Sequence, residues 1–297
     1  MLRHALLVPL LAASLAGCSL KTMAINTVGN ALSESGSTFA SDDDPELVAA
    51  AVPFGLKTIE GLLAQSPRHK GLLFAACSGF TQYAYAFVLQ PADYVEAKDL
   101  DRAIELRGRA KKLFLRARDY GLRGLDVDVP GFEAGIRATP DPWLAKVTKA
   151  HVPLLYYTAA AWAAAFSIDV ADASLATDQA TIEKIMRRAL ALDEAWESGS
   201  LHDFFISWEA AQSGGSLEAA RTHFERSKAL AAGKRVSYLV SYAESVMVQK
   251  QDRPAFEALL NEALQFDPAT APKEQTLPNV LARKRAAWLL ARADDLF

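Results

Sequence analysis

Histidine is the side chain most often recruited for metal binding and proton transfer, and this sequence holds five, at positions 4, 69, 151, 202 and 223. Two ligands on one helix face must stand three or four residues apart. Of the four histidines beyond the N-terminal segment, no two have that spacing, and no HExxH or Cys/His cluster occurs. No GxGxxG, P-loop or GxSxG run is present. The paired acids Asp126/Asp128 and Asp294/Asp295 lack convergent partners and read as caps and solvated faces. Lys111-Lys112 and Arg283-Lys284-Arg285 read as solvent-facing charge, with an anion or partner contact as the alternative for the second. His151 falls on an apolar helix stripe and reads as a hydrogen-bonded core residue. Cys77, in the apolar run 71–80, reads as a small core residue. The expectation is a protein without catalysis, metal or cofactor.

Aromatic side chains are the remaining candidates for chemistry. They gather in three stretches: Tyr83, Tyr85, Phe87 and Tyr94; Tyr156, Tyr157 and Trp162; Phe204, Phe205 and Trp208. Two readings stay open, inter-helix packing or the lining of a cleft that keeps the polar tips of Tyr and Trp wet. On the second reading Tyr83, Tyr156, Trp162, Phe205 and Trp208 form the walls. His202 and Asn279 add polar contacts at the rim.

Helices must position these residues. Ala occurs 55 times and Leu 39 times in 297 residues, and both are strong helix formers. A 51% hydrophobic chain of this length buries a sizeable core. With 32 basic against 35 acidic residues it lacks the basic excess of a nucleic-acid binder. Caps and apolar periodicity predict helices over about 46–65, 70–89, 99–122, 144–166, 178–192, 201–212, 216–230, 236–249, 254–266 and 277–294. Pro91 should end the second and Pro153 should kink the fourth. No sustained alternation bounded by hairpin signals predicts a strand. Ala110-x3-Phe114-x2-Ala117 and Ala220-x3-Phe224-x2-Ser227 have the spacing of a tetratricopeptide second helix. The run from Glu262 to Pro268 has the character of such a repeat's end. These residues should be buried between helices, with Ala263. The fold expected is all-α: a single divergent tetratricopeptide-like helical-repeat domain, an α-solenoid, over 42–297.

The N-terminus carries a separate signal. Arg3 precedes a short apolar region, and Leu15-Ala16-Gly17-Cys18 follows. This resembles the lipobox of bacterial lipoproteins, which implies a signal peptide over 1–17 and lipid on Cys18. Residues 18–41 would then be a lipidated tether. Ser19, rather than Asp, leans toward outer-membrane sorting. Past this segment no uninterrupted apolar stretch of transmembrane length is expected.

Four ordered blocks extend the resemblance: VPLLYYTAAAW at 152–162, ALALDEAWESGSLH at 189–202, GGS at 214–216 leading to Ala220 and Phe224, and LPNVLA at 277–282 running on to DDLF at 294–297. Together they resemble the T component of TRAP transporters, the TatT-type periplasmic lipoproteins, over nearly the whole mature chain. Tyr157 stands where the family carries Trp, and Ser200 where Ala is commoner. The resemblance implies a non-enzymatic lipoprotein facing the periplasm, paired with the substrate-binding P component of a TRAP uptake system. It also implies a trimeric assembly and a cleft or pore through each protomer. The alternative function is an envelope or outer-membrane assembly scaffold that holds a peptide segment.

Overall fold

The computed structural model describes residues 27–31, 36–212 and 214–297. The expected signal peptide, Cys18, part of the tether and Ser213 lie outside the described residues. Those residues are helical throughout their regular structure, with no strand among them.

Helix α1 (Pro45–Gln65) begins where Asp44 accepts hydrogen bonds from the Glu46 and Leu47 amides. Val48, Leu56, Ile59 and Leu63 recur at helical spacing and turn inward. Helix α2 (Lys70–Ala84) does not stop at Pro91. It passes through a π-turn (Tyr85–Leu89) into α3 (Gln90–Glu96). The wider turn accommodates the proline ring, which would otherwise strike the carbonyl four residues back. Helix α4 (Leu100–Asp128) outruns its expected end and stops just before Pro130. Helix α5 (Val152–Ile168) starts so late that Pro153 falls in its first turn. There no amide hydrogen is needed, so the expected kink is absent. His151 is therefore a cap rather than a core residue. Its Nδ1 accepts from the Thr148 amide at 3.0 Å.

Six further helices follow: α6 (Gln179–Leu192), α7 (Ser200–Ala211), α8 (Leu217–Ala231), α9 (Ser237–Tyr242) with a second π-turn (Ala243–Met247), α10 (Arg253–Gln265) and α11 (Thr276–Ala291). Each packs mainly on its chain neighbours. Ala110, Phe114, Ala117, Ala220, Phe224, Ser227 and Ala263 are all buried. The small residues let backbones approach. At Gly121 a methyl group would lie 2.0 Å from Thr158 Oγ1 and 2.8 Å from Cys77 Sγ, so glycine is what lets α2, α4 and α5 meet. Cys77 is enclosed in that joint, and burial pushes its thiol up to about 12. It is an inert thiol at neutral pH.

By length and mean hydropathy, α1 and the unit running from α2 through α3 could each cross a membrane, which departs from the sequence expectation. Half of the second is buried inside the protein. On α1 the outward face keeps Leu47 and Phe54 exposed.

Two hydrophobic clusters divide the body. The larger is built from α1 to α7, the smaller from α7 to α11. The last helix returns to the first, since α11 touches α1 and the short helix Gly36–Ala40. The chain thus closes on itself. Arg285, expected on a solvent face, is buried in this closure. It binds Glu244 of the second π-turn and, at 3.0 Å, Asp93 of α3.

Candidate functional site

Side chains from several helices meet around Tyr156. Tyr85, at the start of the first π-turn, is 52% exposed, yet surrounding protein and then Glu244 raise its phenol above the ordinary value. Tyr156 and Tyr157 on α5 are half-buried, and each phenol is raised, by burial first. The Tyr156 phenol feels Asp203, Arg235, Tyr85 and Glu197, which come from four other elements. Among the described residues, the buried side-chain polar atoms without a partner are Trp208 Nε1 and Arg285 Nη1. The Tyr156 and Tyr157 hydroxyls form no hydrogen bond with the described residues and are not in that pair, so they reach solvent.

An unusual joint sets the far wall. Glu197 (φ 46°), Ser198 (φ 55°) and Gly199 (φ 92°) are consecutive left-handed residues between α6 and α7. Side chains with a Cβ rarely adopt that conformation, and it persists only where the surroundings enforce it. Arg235 does so, donating from Nε to the Ser198 carbonyl at 3.0 Å. The turn sets Trp196 against Tyr156, with ring centres 4.7 Å apart, and Tyr157, at 6.1 Å.

The candidates read from sequence are dispersed. Tyr156 is half-buried against Trp196. Tyr83 is half-buried against the larger core cluster, beside Phe87 at 5.9 Å and accepting a long hydrogen bond from Arg109. Trp162 is wholly buried and donates from Nε1 to Asp178 at 3.1 Å. Phe205 is also wholly buried. Trp208 stacks on Phe204 at 5.2 Å. Asn279 is enclosed, accepting from the Val236 amide and donating to the Lys234 carbonyl, and so ties α11 to the start of α9. Tyr85 belongs to the first aromatic stretch though not to the walls chosen from it, and Trp196, Glu197, Arg235 and Glu244 were missed as site residues. Their proximity comes from ring closure, which no local pattern announces.

His202 and His223 form a buried relay between α7 and α8. The Nδ1 atoms are 2.7 Å apart, and His202 Nε2 is 3.1 Å from Glu194, which Arg226 clamps at 2.6 Å. With Glu194 ionised, His202 donates from Nε2 to it and accepts at Nδ1 from His223. Protonating both rings would set two N–H groups head to head. Burial lowers both imidazoles, and the neighbouring His202 lowers His223 further, to about 4. The pair is therefore neutral in the fold and charged more readily in the unfolded chain. Its stabilisation is complete above the ordinary imidazole value of 6.5 and declines as pH falls from there toward 4. Urea unfolding should show the protein losing on the order of 2–3 kcal/mol between pH 7.5 and 4.5 through this pair. His223→Gln should flatten much of that slope, and an unchanged slope would refute the assignment.

Side chains from several helices thus meet around Tyr156, Trp196 and Arg235 in an all-helical scaffold. The model of the TRAP transporter T-component family matches residues 41–297, and the chain belongs to that family. It is accordingly an accessory component of TRAP transport, a bacterial envelope system. A protein of Treponema pallidum (strain Nichols), described as an uncharacterized protein, is 30% identical over 303 residues. That alignment covers 95% of this chain and 94% of the relative.

Proposed function

We propose that this chain is a non-enzymatic, lipid-anchored T component that faces the periplasm, holds the substrate-binding P component, and offers its interior to a small solute. The observation that carries this is the match of residues 41–297 to the T-component family, and the half-buried Tyr156 and Tyr157, whose hydroxyls reach solvent, mark where a solute would enter. On this reading Cys18 carries the lipid after removal of residues 1–17, and the helix pairs form a divergent tetratricopeptide-like solenoid. The P component docks outside the interior, so that solute is passed or shared between the two, and homotrimers are the assembled form. Two acyl chains or more would anchor the protein stably.

The test mixes lipid-free protein with the P component of the same organism's TRAP transporter, at micromolar concentration, in an analytical ultracentrifuge. A faster-sedimenting complex is expected. No complex, with or without organic-acid solutes, would overturn the transporter-partner reading and favour an envelope scaffold that holds a peptide segment. Fractionation of Cys18→Ala checks the anchor, since this variant should leave the membrane fraction.

A further inference from the structure

Helix α1 is apolar on both sides. Val48, Leu56, Ile59 and Leu63 are buried against the protein, so a helix with the length and mean hydropathy to cross a bilayer is held along the molecule instead. Its outward face carries Leu47, Ala50, Ala51, Phe54, Gly61 and Ala64 at helical spacing, with Glu46 at the start and Lys57 as its charged members. Phe54 is 80% exposed and Leu47 57%. Covering such a stripe removes apolar surface from water.

The far end of α1 is basic. Lys57 binds Glu60 at 2.5 Å, and Arg116 of α4 stands 3.5 Å from the same acid. Arg123 donates to the Pro67 carbonyl at 3.1 Å, beside the exposed Arg68, and Lys70 pairs with Asp128. Five cations thus meet two acids. The N-terminal end of the chain reaches the same corner. A methyl group on Gly29 would lie 3.0 Å from both His69 Nε2 and Leu72 Cδ1, so the helical turn 27–31 sits where α1 passes into α2. Only nine residues separate position 27 from Cys18, a span of at most about 30 Å.

We propose that the outward face of α1, with the basic corner at its far end, rests on an anionic phospholipid surface. A lipid on Cys18 holds that corner within reach of the bilayer, and the cations there meet headgroup phosphates. Phe54 enters the boundary between headgroups and acyl chains, as the apolar side of an interfacial helix does. The acids at 42–44 and 46 lie at the opposite end, so α1 tilts with its basic end nearest the lipid. The anchor then sets the orientation of the body as well as its location.

This inference deepens the reading of a lipid-anchored protein and rests on it. The probe is vesicles of phosphatidylglycerol and phosphatidylcholine in equal parts, titrated to millimolar lipid against lipid-free protein and read by cosedimentation. A face this small binds weakly and washes off in fractionation, so Cys18→Ala still reads the anchor while the titration reads the face, and either can fail alone. Saturable partition is expected, and should be several-fold weaker on pure phosphatidylcholine. Phe54→Asp should weaken it about tenfold or more, and Arg68→Gln about fivefold. Val170→Asp, at an apolar position 65% exposed after α5, should leave it unchanged. In Phe54→Trp, brominated lipid should quench fluorescence beyond the wild-type level. Absence of partition, unchanged partition by Phe54→Asp, or an equal loss from Val170→Asp overturns the proposal. If Phe54→Asp instead lowers the sedimenting mass in lipid-free buffer and leaves partition unchanged, a second copy of the chain covers this face, and the proposal is overturned.

Discussion

Arg235→Met should lower the free energy of unfolding by about 3–5 kcal/mol, because it strands a buried carboxylate. Arg235 is 2% exposed. One guanidinium edge binds Asp203 and donates to Ser237 Oγ at 2.9 Å. The other reaches Ser227 Oγ at 2.6 Å, and Nε holds the Ser198 carbonyl. Ser227 and Ser237 in turn donate to the two Asp203 oxygens, at 2.5 and 2.7 Å. Each side chain in this cluster bonds to at least two others, and a network of this kind is worth most intact. Methionine fills the volume but satisfies none of it. Asp203→Leu combined with Arg235→Met should recover part of the loss, since an apolar pair replaces a charged one. Guanidinium unfolding of Arg235→Met, Asp203→Leu and the double variant measures this, and additive losses would refute the network. The single variant should also change the Trp196 environment, because the left-handed turn at 197–199 loses its anchor.

How much of this was legible depends on the range of the interaction. Asp44-Pro45 announced α1 because a cap and a first-turn proline act within four residues. Ala110 and Phe114 announced a helix interface because steric demand fixes small and large residues at set spacings. Pro91 misled, because the rule that a proline ends a helix ignores the π-turn that can precede it. Trp162 and Phe205 misled differently. An aromatic in a cluster looks the same in sequence whether it fills a core or borders a cavity, and these two are fully buried. Tyr156 and Tyr157 differ from Trp162 by their helix face, which meets Trp196 only once the chain has turned back after α6. Arg285 was hidden inside a basic run that reads as a wet surface. Glu197 and Ser198 have no signature for a left-handed turn beyond the glycine that follows them.

Arg285→Met should cost about 3–5 kcal/mol and, unlike the change at Arg235, should uncouple the two halves of the molecule. Arg285 on α11 joins Glu244, which belongs to the smaller hydrophobic cluster's side of the molecule, to Asp93 on α3. Asp93 continues the link, because Arg107 of α4 binds it at 3.0 Å and Glu96 at 2.8 Å. The guanidinium also lies 4.3 Å from the Trp288 ring centre, and Trp288 packs on Tyr94 at 5.2 Å. Direct helix packing between α11 and the first helices is otherwise thin beside the contacts each helix makes with its chain neighbours. Ring closure therefore leans on one buried cation with two acids. One of its nitrogens, Nη1, is buried with no acceptor among the described residues, an unmet donor that already weakens the seam. Removing the cation leaves Glu244 without its partner, whereas Asp93 keeps Arg107. The expected result is a denaturant transition that splits, the smaller cluster unfolding first, with Trp288 fluorescence moving ahead of the loss of helix. A single transition of unchanged midpoint would show that apolar packing alone closes the ring. Glu244→Gln is the milder companion, keeping the shape and one acceptor oxygen. Its loss should be smaller than that of Arg285→Met, since it leaves the cation paired to Asp93 and strands no carboxylate.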